Sequence, residues 1–120
     1  MRLRALLVAL VVASALLAAG AAQARAPVAV GVGLKEFRVS ISRPVIKPGK
    51  LKLVLNNRGE DVHDIAVKRG SKLIAKSRAV GSEKRGTLRL TLRKSGRYTL
   101  VCLIADHAKR GMRATLRVRK

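Results

Sequence analysis

Apolar and polar residues alternate in short runs along most of this chain, and turn signals separate the runs. The clearest alternation lies in residues 37–41, 51–55, 88–92 and 112–118, and weaker apolar runs occupy 62–67, 73–75 and 98–102. A period of two residues is typical of β-strands that bury one face of a sheet. No run after residue 24 keeps a helical period for three turns. Residues 72–85 could hold one helical turn, but Gly70, Gly81 and Gly86 favour a loop or an irregular strand there. The pattern predicts an all-β fold, a Greek-key β-sandwich or barrel of about seven or eight antiparallel strands.

The N-terminal segment differs from the rest of the chain in its long uncharged run. Arg2 and Arg4 precede twenty residues without a charge, and Ala22-Gln23-Ala24 ends that run with the small-x-small pattern of a cleavage site. These features are typical of a secretory signal peptide, with an uncleaved membrane anchor as the alternative. We expect a signal peptide over residues 1–24 and one domain over residues 25–120. The protein is then secreted or extracytoplasmic, in a periplasm or cell-wall space.

The chain is strongly basic, and its apolar content is nevertheless that of a folded domain. It has 27 Lys plus Arg against 6 Asp plus Glu, a formal charge of +21, while 48% of its residues are apolar. Loss of Arg2 and Arg4 with the signal would leave 25 basic groups and a charge of +19. Such a charge favours anionic partners. Phe37 and Tyr98 are the only aromatic residues, which disfavours recognition of single-stranded nucleic acid by base stacking.

The residues best suited to binding a metal are scarce and are grouped. Apart from Met1, the chain has one methionine, one cysteine and two histidines. Three of these four residues form the sequence Cys102-x₄-His107-x₄-Met112, and we expect the fourth, His63, to lie on an earlier strand within the run 62–67. Two imidazoles, a thiolate and a weak axial thioether are the donor set of a blue copper site, whereas one cysteine excludes an internal disulfide and a Cys₄ or Cys₂His₂ zinc site. The alternative is that Cys102 is only a buried apolar residue.

From about residue 30 onward the chain resembles the cupredoxins, the family of small blue copper proteins. The matching segments are Glu36-Phe37, Ile46-Lys47-Pro48-Gly49, Asn57-Arg58-Gly59 before His63, Gly96-Arg97-Tyr98-Thr99 before Cys102, and Gly111-Met112. The spacing of the last three donors is similar to that of the rusticyanin and phytocyanin subsets. The resemblance implies a cupredoxin-like Greek-key sandwich with one type 1 copper per chain, bound by His63, Cys102 and His107 with Met112 as axial ligand.

Several neighbours of these donors are candidates for supporting roles. Asp61 and Asp64 flank His63, and Asp106 precedes His107; we expect Asp64 or Asp106 to orient an imidazole or to hold the ligand loop. The resemblance places the backbone N–H that bonds the cysteine sulfur at Asp64. It also makes His107 the electron exit, within an apolar patch formed by Leu103, Ile104, Ala105 and Ala108. Lys109 and Arg110 would give this patch a basic rim.

Three classes of function fit this sequence. The first is a secreted, monomeric one-electron carrier whose basic rim suits an acidic redox partner protein. The second is storage or delivery of copper without electron transfer. The third is a cationic β-domain that binds a polyanion, an anionic membrane or a cell-wall surface. An enzyme is not expected, because a second metal centre would need more histidines than the chain has.

Overall fold

A computed structural model describes residues 25–120, which form nine β-strands; the predicted signal peptide lies outside the described residues. The strands are β1 (Val28–Lys35), β2 (Arg38–Ile41), β3 (Val45–Ile46), β4 (Gly49–Asn57), β5 (Ala66–Arg69), β6 (Lys72–Lys76), β7 (Arg85–Leu92), β8 (Gly96–Val101) and β9 (Arg113–Val118). Residues 72–85 form β6, a loop and the first residue of β7, in agreement with the loop or irregular strand expected there. Among residues 25–120, no helix is long and apolar enough to cross a membrane.

The nine strands form two sheets, as the prediction of an all-β sandwich required. One sheet has four strands in the order β2-β1-β4-β7, and the other has five in the order β3-β9-β8-β5-β6. Two neighbouring pairs, β1 with β4 and β3 with β9, are parallel, so both sheets are mixed instead of purely antiparallel. The sandwich prediction is confirmed, and the expected strand number and direction are corrected.

The alternation did not reveal β1 or the two-residue β3. Gly31 and Gly33 interrupt the sequence of β1, and glycine usually weakens a strand. Here β1 lies between β2 and β4, so its backbone is paired on both edges. A Cβ atom at position 33 would meet the hydroxyl of Ser40, which would have to rotate away. Tertiary pairing therefore overrides the local preference at these positions.

The hydrophobic core lies between the two sheets. Alternate residues of β1 and β4 point inward and are almost fully buried: Val30, Val32, Leu34, Leu51, Leu53 and Leu55. The other sheet contributes Leu100, Leu116 and Val118, which are equally buried. Full burial of a Val or Leu side chain is worth about 1.5–3 kcal/mol, so these rows supply most of the driving force for the sandwich.

The loop between β4 and β5 is fixed by Asn57, a buried residue at the end of β4. Its side-chain amide donates hydrogen bonds to the carbonyl oxygens of Asp61 and Val80, both at 2.8 Å. Its carbonyl oxygen accepts a hydrogen bond from the Gly59 N–H at 2.9 Å. These three bonds satisfy a buried polar side chain and hold the loop that carries His63 in one conformation.

Candidate metal centre

Three of the four predicted donors lie on one loop between β8 and β9. Cys102 directly follows β8, and Met112 directly precedes β9; both are fully buried. The Cys102 N–H donates to the Met112 carbonyl at 3.1 Å, and the Met112 N–H donates to the His107 carbonyl at 3.1 Å. The loop is therefore closed at its base by backbone hydrogen bonds, which fixes where its donors begin and end.

The fourth donor, His63, comes from the loop between β4 and β5, so its predicted position on a strand is wrong. Its backbone forms an isolated antiparallel bridge with Val80, with N···O distances of 3.1 and 2.7 Å. The His63 side chain is fully buried. Because Asn57 also bonds the Val80 carbonyl, this bridge and the Asn57 network position the same segment.

The structure brings three donor atoms together. The Cys102 Sγ lies 3.6 Å from His107 Nδ1 and 4.0 Å from His63 Nδ1, and all three atoms lie within 4.8 Å of one another. Donors at about 2.0–2.3 Å from one metal ion in a near-trigonal arrangement are roughly 3.5–4 Å apart. The distances to the sulfur therefore fit a shared metal ion. Met112, the fourth predicted donor, is fully buried and belongs with Cys102 to the hydrophobic core.

The outer nitrogen of His63 is held by a residue that the sequence analysis did not select for this role. Glu36, in the turn between β1 and β2, places Oε1 at 2.9 Å from His63 Nε2. The same oxygen accepts the Asp61 N–H at 2.8 Å, and this bond is the main cause that lowers the pKa of Glu36 to about 2. An ionised carboxylate only accepts hydrogen bonds, so His63 carries its proton on Nε2. The Nδ1 lone pair is then available on the side of Cys102.

Gly59 makes the contact between Glu36 and His63 sterically feasible. A Cβ atom at this position would collide with the carboxylate of Glu36. The glycine in Asn57-Arg58-Gly59 is therefore required by the close approach of a side chain from another loop. The sequence contained a signal for this, since Glu36 and Gly59 both lie in the segments that resemble the cupredoxins.

The outer nitrogen of His107 also faces a carboxylate. Its Nε2 lies 3.6 Å from Asp61 Oδ2, on a side chain that is 55% exposed. Phe37 packs against the same imidazole in an edge-to-face arrangement, with ring centroids 5.2 Å apart. His107 is thus held between Phe37 and the His63 ring, whose centroid is 5.1 Å away.

Of the two carboxylates selected from the sequence, Asp64 holds the ligand loop. Its Oδ1 accepts the N–H of Leu103, the residue after Cys102, at 2.8 Å, and its Oδ2 lies 3.4 Å from the Lys76 ammonium. Asp106 is placed differently: its carboxylate is half-exposed and bonds Arg110 at 2.8 Å. That bond lowers the pKa of Asp106. Within residues 25–120 the carboxylates that contact imidazoles belong to Glu36 and Asp61.

Burial raises the pKa of the Cys102 thiol, and the backbone N–H groups of Asp64 and Ile104 partly offset this effect. A raised pKa is the ordinary effect of burial on a thiol. The case for a thiophilic metal therefore rests on the donor set, in which a thiolate would need the positive charge of the metal ion.

The predicted apolar patch lies partly on the surface. Leu103 and Ala105 are exposed, whereas Ile104 and Ala108 are partly buried and His107 itself is only 6% exposed. The rim carries both signs of charge, because the guanidinium of Arg110 is paired with Asp106. The same guanidinium lies 4.9 Å from the centre of the Phe37 ring.

Solved structures with the same architecture include three auracyanins. The reduced auracyanin of Roseiflexus castenholzii superposes with a TM-score of 0.64 at 13% identity over 80% of this chain and all of that one. Auracyanin A of Chloroflexus aurantiacus, described as a "blue" copper protein, has a TM-score of 0.65 at 18% identity over 78% of this chain and all of that one. The fold is cupredoxin-like.

A third structure supports the same assignment of the cupredoxin-like fold. Auracyanin B matches with a TM-score of 0.65 at 14% identity, over 80% of this chain and 92% of that one. No protein-family model matches this chain, and no curated protein matches it in sequence. At these identities the likeness shows the fold alone. A copper site in this cupredoxin-like domain is supported by the geometry of its own residues.

Proposed function

We propose that this protein is a secreted type 1 copper protein that carries one electron at a time. The observation that carries the proposal is the convergence of His63 Nδ1, Cys102 Sγ and His107 Nδ1 at one buried point. The cupredoxin-like fold supports it, because this convergence lies on the loops at one end of the sandwich. The structures that share the fold include a protein described as a blue copper protein.

Each of the four donors has a distinct role in the proposal. His63, Cys102 and His107 would hold one copper ion, and Met112 would add a fourth, weaker ligand. When bound, copper supplies the one-electron chemistry by cycling between Cu(I) and Cu(II). The loop spacing from Cys102 to Met112 groups the site with those of rusticyanins and phytocyanins. The backbone hydrogen bonds that close this loop favour a site whose shape changes little with oxidation state.

The proposed route for the electron is through His107 to the exposed patch around Leu103. His107 is the donor nearest to solvent, since the other three are fully buried. The redox partner is an acidic protein, and the net positive charge of residues 25–120 attracts it over a distance of about one Debye length, ~10 Å at 0.1 M salt. We propose that the protein works as a monomer outside the cytoplasm, after removal of residues 1–24.

The absorption spectrum of the Cu(II) protein tests the site directly. We expect an intense visible band from the thiolate of Cys102, and we expect the Cys102→Ser variant to lack it. Ser95→Ala is the matched control, because Ser95 lies in the turn at the opposite end of β8. A Cu(II) protein without this band, or a band that survives in Cys102→Ser, would contradict the proposal.

A role in copper storage or delivery is the second candidate, since the same donors would serve it. The two roles differ in how fast the bound ion exchanges electrons. A reversible one-electron wave in protein-film voltammetry, together with fast self-exchange between the Cu(I) and Cu(II) proteins, supports the carrier. Irreversible voltammetry with rapid release of Cu(I) to a chelator supports delivery. We propose no enzymatic role, because both histidines of the chain are used as donors.

A further inference from the structure

Charge is distributed unevenly between the strands and the loops of this domain. Every strand from β1 to β9 except β3 carries Lys or Arg, and none of the nine carries Asp or Glu. All six acidic residues lie in loops or turns, and five of them are in the loops around the donors. The outer surfaces of the sheets are therefore cationic, whereas the end of the sandwich that holds the donors has mixed charge.

The cations of the four-stranded sheet form rows on its outer face. The outward side chains are those that alternate with the buried ones, and they include Lys35, Arg38, Lys50, Lys52, Arg85 and Arg89. Lys52 lies directly opposite Arg89, and Lys35 lies directly opposite Arg38. Like charges at opposed positions destabilise a sheet. Within residues 25–120, none of these six side chains forms an ion pair with a carboxylate. The Lys and Arg side chains that do form such pairs there are Lys76 and Arg110.

Protection of exposed sheet edges explains only part of this pattern. Lysine and arginine on an edge strand discourage pairing with another chain. Arg38 and Arg89 lie on the edge strands β2 and β7, and for them that explanation is sufficient. Lys50 and Lys52 lie on β4, which is paired on both sides. Edge protection therefore does not account for these two lysines.

The same face contains a groove of mixed lining, with a volume of about 480 Å³. Gly31 and Gly33 form its floor, the apolar side chains of Val32, Ile41 and Val54 line part of it, and its polar side chains are those of Ser40, Ser42, Asn56, Arg58 and Arg85. A Cβ atom at Gly33 would collide with Ser40, so the glycines keep the floor open. No acidic side chain lines the groove. Guanidinium and hydroxyl groups in this arrangement suit phosphate oxygens.

We propose that this face binds a linear, phosphate-bearing polyanion along the β4 and β7 strands. Successive outward residues on a strand are about 7 Å apart, so Lys50 and Lys52 present charges at that interval and Arg85 and Arg89 at about 13 Å. A flexible polymer with closely spaced phosphates follows such rows, and its binding relieves the repulsion between Lys52 and Arg89. The polyanion binds independently of copper.

Two other anionic partners fit this face less well. Recognition of nucleobases needs aromatic side chains, but Phe37 packs on His107 and Tyr98 is buried in the core. Insertion into a membrane needs exposed apolar side chains. The exposed large apolar residues of the described chain, Val45, Val62, Leu73 and Leu103, all lie outside β1, β2, β4 and β7.

The test measures binding of long-chain inorganic polyphosphate by isothermal titration calorimetry. The face variant carries Arg58→Gln, Lys52→Gln, Arg85→Gln and Arg89→Gln. The control variant carries Lys72→Gln, Lys94→Gln, Arg97→Gln and Arg117→Gln, which remove the same net charge from exposed positions on or beside the five-stranded sheet. We expect the affinity for polyphosphate to fall at least tenfold in the face variant and less than threefold in the control variant. The reason is that proteins that bind nucleic acid lose affinity by such factors when several contacts to backbone phosphates are removed. Equal losses, or no binding by the wild type, would overturn the proposal.

Further measurements separate the polymer from other ligands and from copper. If four charges are engaged, the affinity should fall about 50-fold between 50 and 200 mM salt. Poly(dT) should bind no more tightly than polyphosphate, and tighter binding would reject recognition of phosphate alone. Binding to phosphatidylglycerol vesicles with no affinity for polyphosphate would identify a lipid surface and overturn the proposal. Cys102→Ser should bind polyphosphate as the wild type does, so the loss of the copper site and the loss of this surface are distinguishable.

Thermal unfolding checks that the variants remain folded and supplies an independent readout. Polyphosphate should raise the midpoint of the wild type and of the control variant, because it binds only the folded sheet. It should leave the midpoint of the face variant nearly unchanged. A rise of the same size in the face variant would contradict binding at this surface.

Discussion

The carboxylate of Glu36 holds the outer nitrogen of His63, with 2.9 Å between Oε1 and Nε2. The two residues are 27 positions apart in sequence and come from turns after neighbouring strands of the four-stranded sheet. This contact fixes the ring orientation and the tautomer that leaves Nδ1 facing Cys102. A carboxylate–imidazole pair of this kind also makes the imidazole a stronger donor to a metal ion.

Glu36→Ala should weaken copper binding by about 10–100-fold, the range typical for loss of a hydrogen bond to a metal-binding histidine. The reason is that the His63 ring loses its fixed orientation and its proton acceptor. Competition titration with a chelator measures the change in affinity. Glu60→Ala is the control, since Glu60 is an exposed carboxylate in the loop that carries His63. A loss of the same size in both variants would show that the effect is only one of net charge.

Gly59→Ala should disrupt the same contact from the other side. The added methyl group would collide with the Glu36 carboxylate, and crowding of this kind costs about 1–3 kcal/mol. Urea denaturation of the apoprotein measures the free energy of unfolding, and chelator competition measures copper affinity. Gly81→Ala is the control, because a methyl group there meets only the Lys84 side chain at ordinary contact distances. Unchanged stability and affinity in Gly59→Ala would rule out this packing requirement.

Asp64→Asn should raise the reduction potential of the copper protein. Asp64 is nearly buried, and its negative charge lies beside the backbone that follows Cys102, so it stabilises Cu(II) more than Cu(I). Asparagine keeps an oxygen that can accept the Leu103 N–H and removes only the charge. Voltammetry measures the potential, with Asp106→Asn as the control, because the Asp106 carboxylate is exposed and paired with Arg110. No rise, or a fall, in Asp64→Asn would contradict this role.

Lys109→Gln should slow oxidation of the reduced protein by hexacyanoferrate(III), an anionic acceptor. Lys109 is exposed on the loop of His107, so its charge increases the local concentration of an anion near the proposed exit. Stopped-flow rates should fall a few-fold at low ionic strength, and the difference from wild type should vanish at high salt. Lys94→Gln removes the same charge from the opposite end of β8 and should have a smaller effect. Equal rates for the two variants would argue against an exit at His107.

Binding of Cu(II) should stabilise the folded domain, because the donors converge only when the two loops are in place. Excess copper at 1,000 times the dissociation constant would add about 4 kcal/mol to the free energy of unfolding. The rise in the thermal midpoint should be much smaller in His63→Ala. An equal rise in both proteins would mean that copper binds elsewhere.

Much of the architecture was predictable from local sequence. The alternation in residues 51–55 and 88–92 correctly placed parts of β4 and β7, because period-two burial is a property of the strand itself. The interrupted strand β1 was missed, since pairing on both edges compensates for its glycines only in the folded sheet. Asp106 was selected because it is adjacent to His107 in sequence, but neighbouring side chains often point in different directions. The carboxylate that lies near His107 Nε2 belongs to Asp61.

The sequence by itself determined the fold class and the scarce set of donors, because strand periodicity and the chemistry of cysteine and histidine are local properties. The tertiary structure decided that His63 Nδ1 and His107 Nδ1 face one sulfur, that Glu36 reaches His63, and that Lys52 lies opposite Arg89. These relationships depend on sheet order and register. Both are set by how the two sheets bury their apolar faces together, which no single segment of the chain specifies.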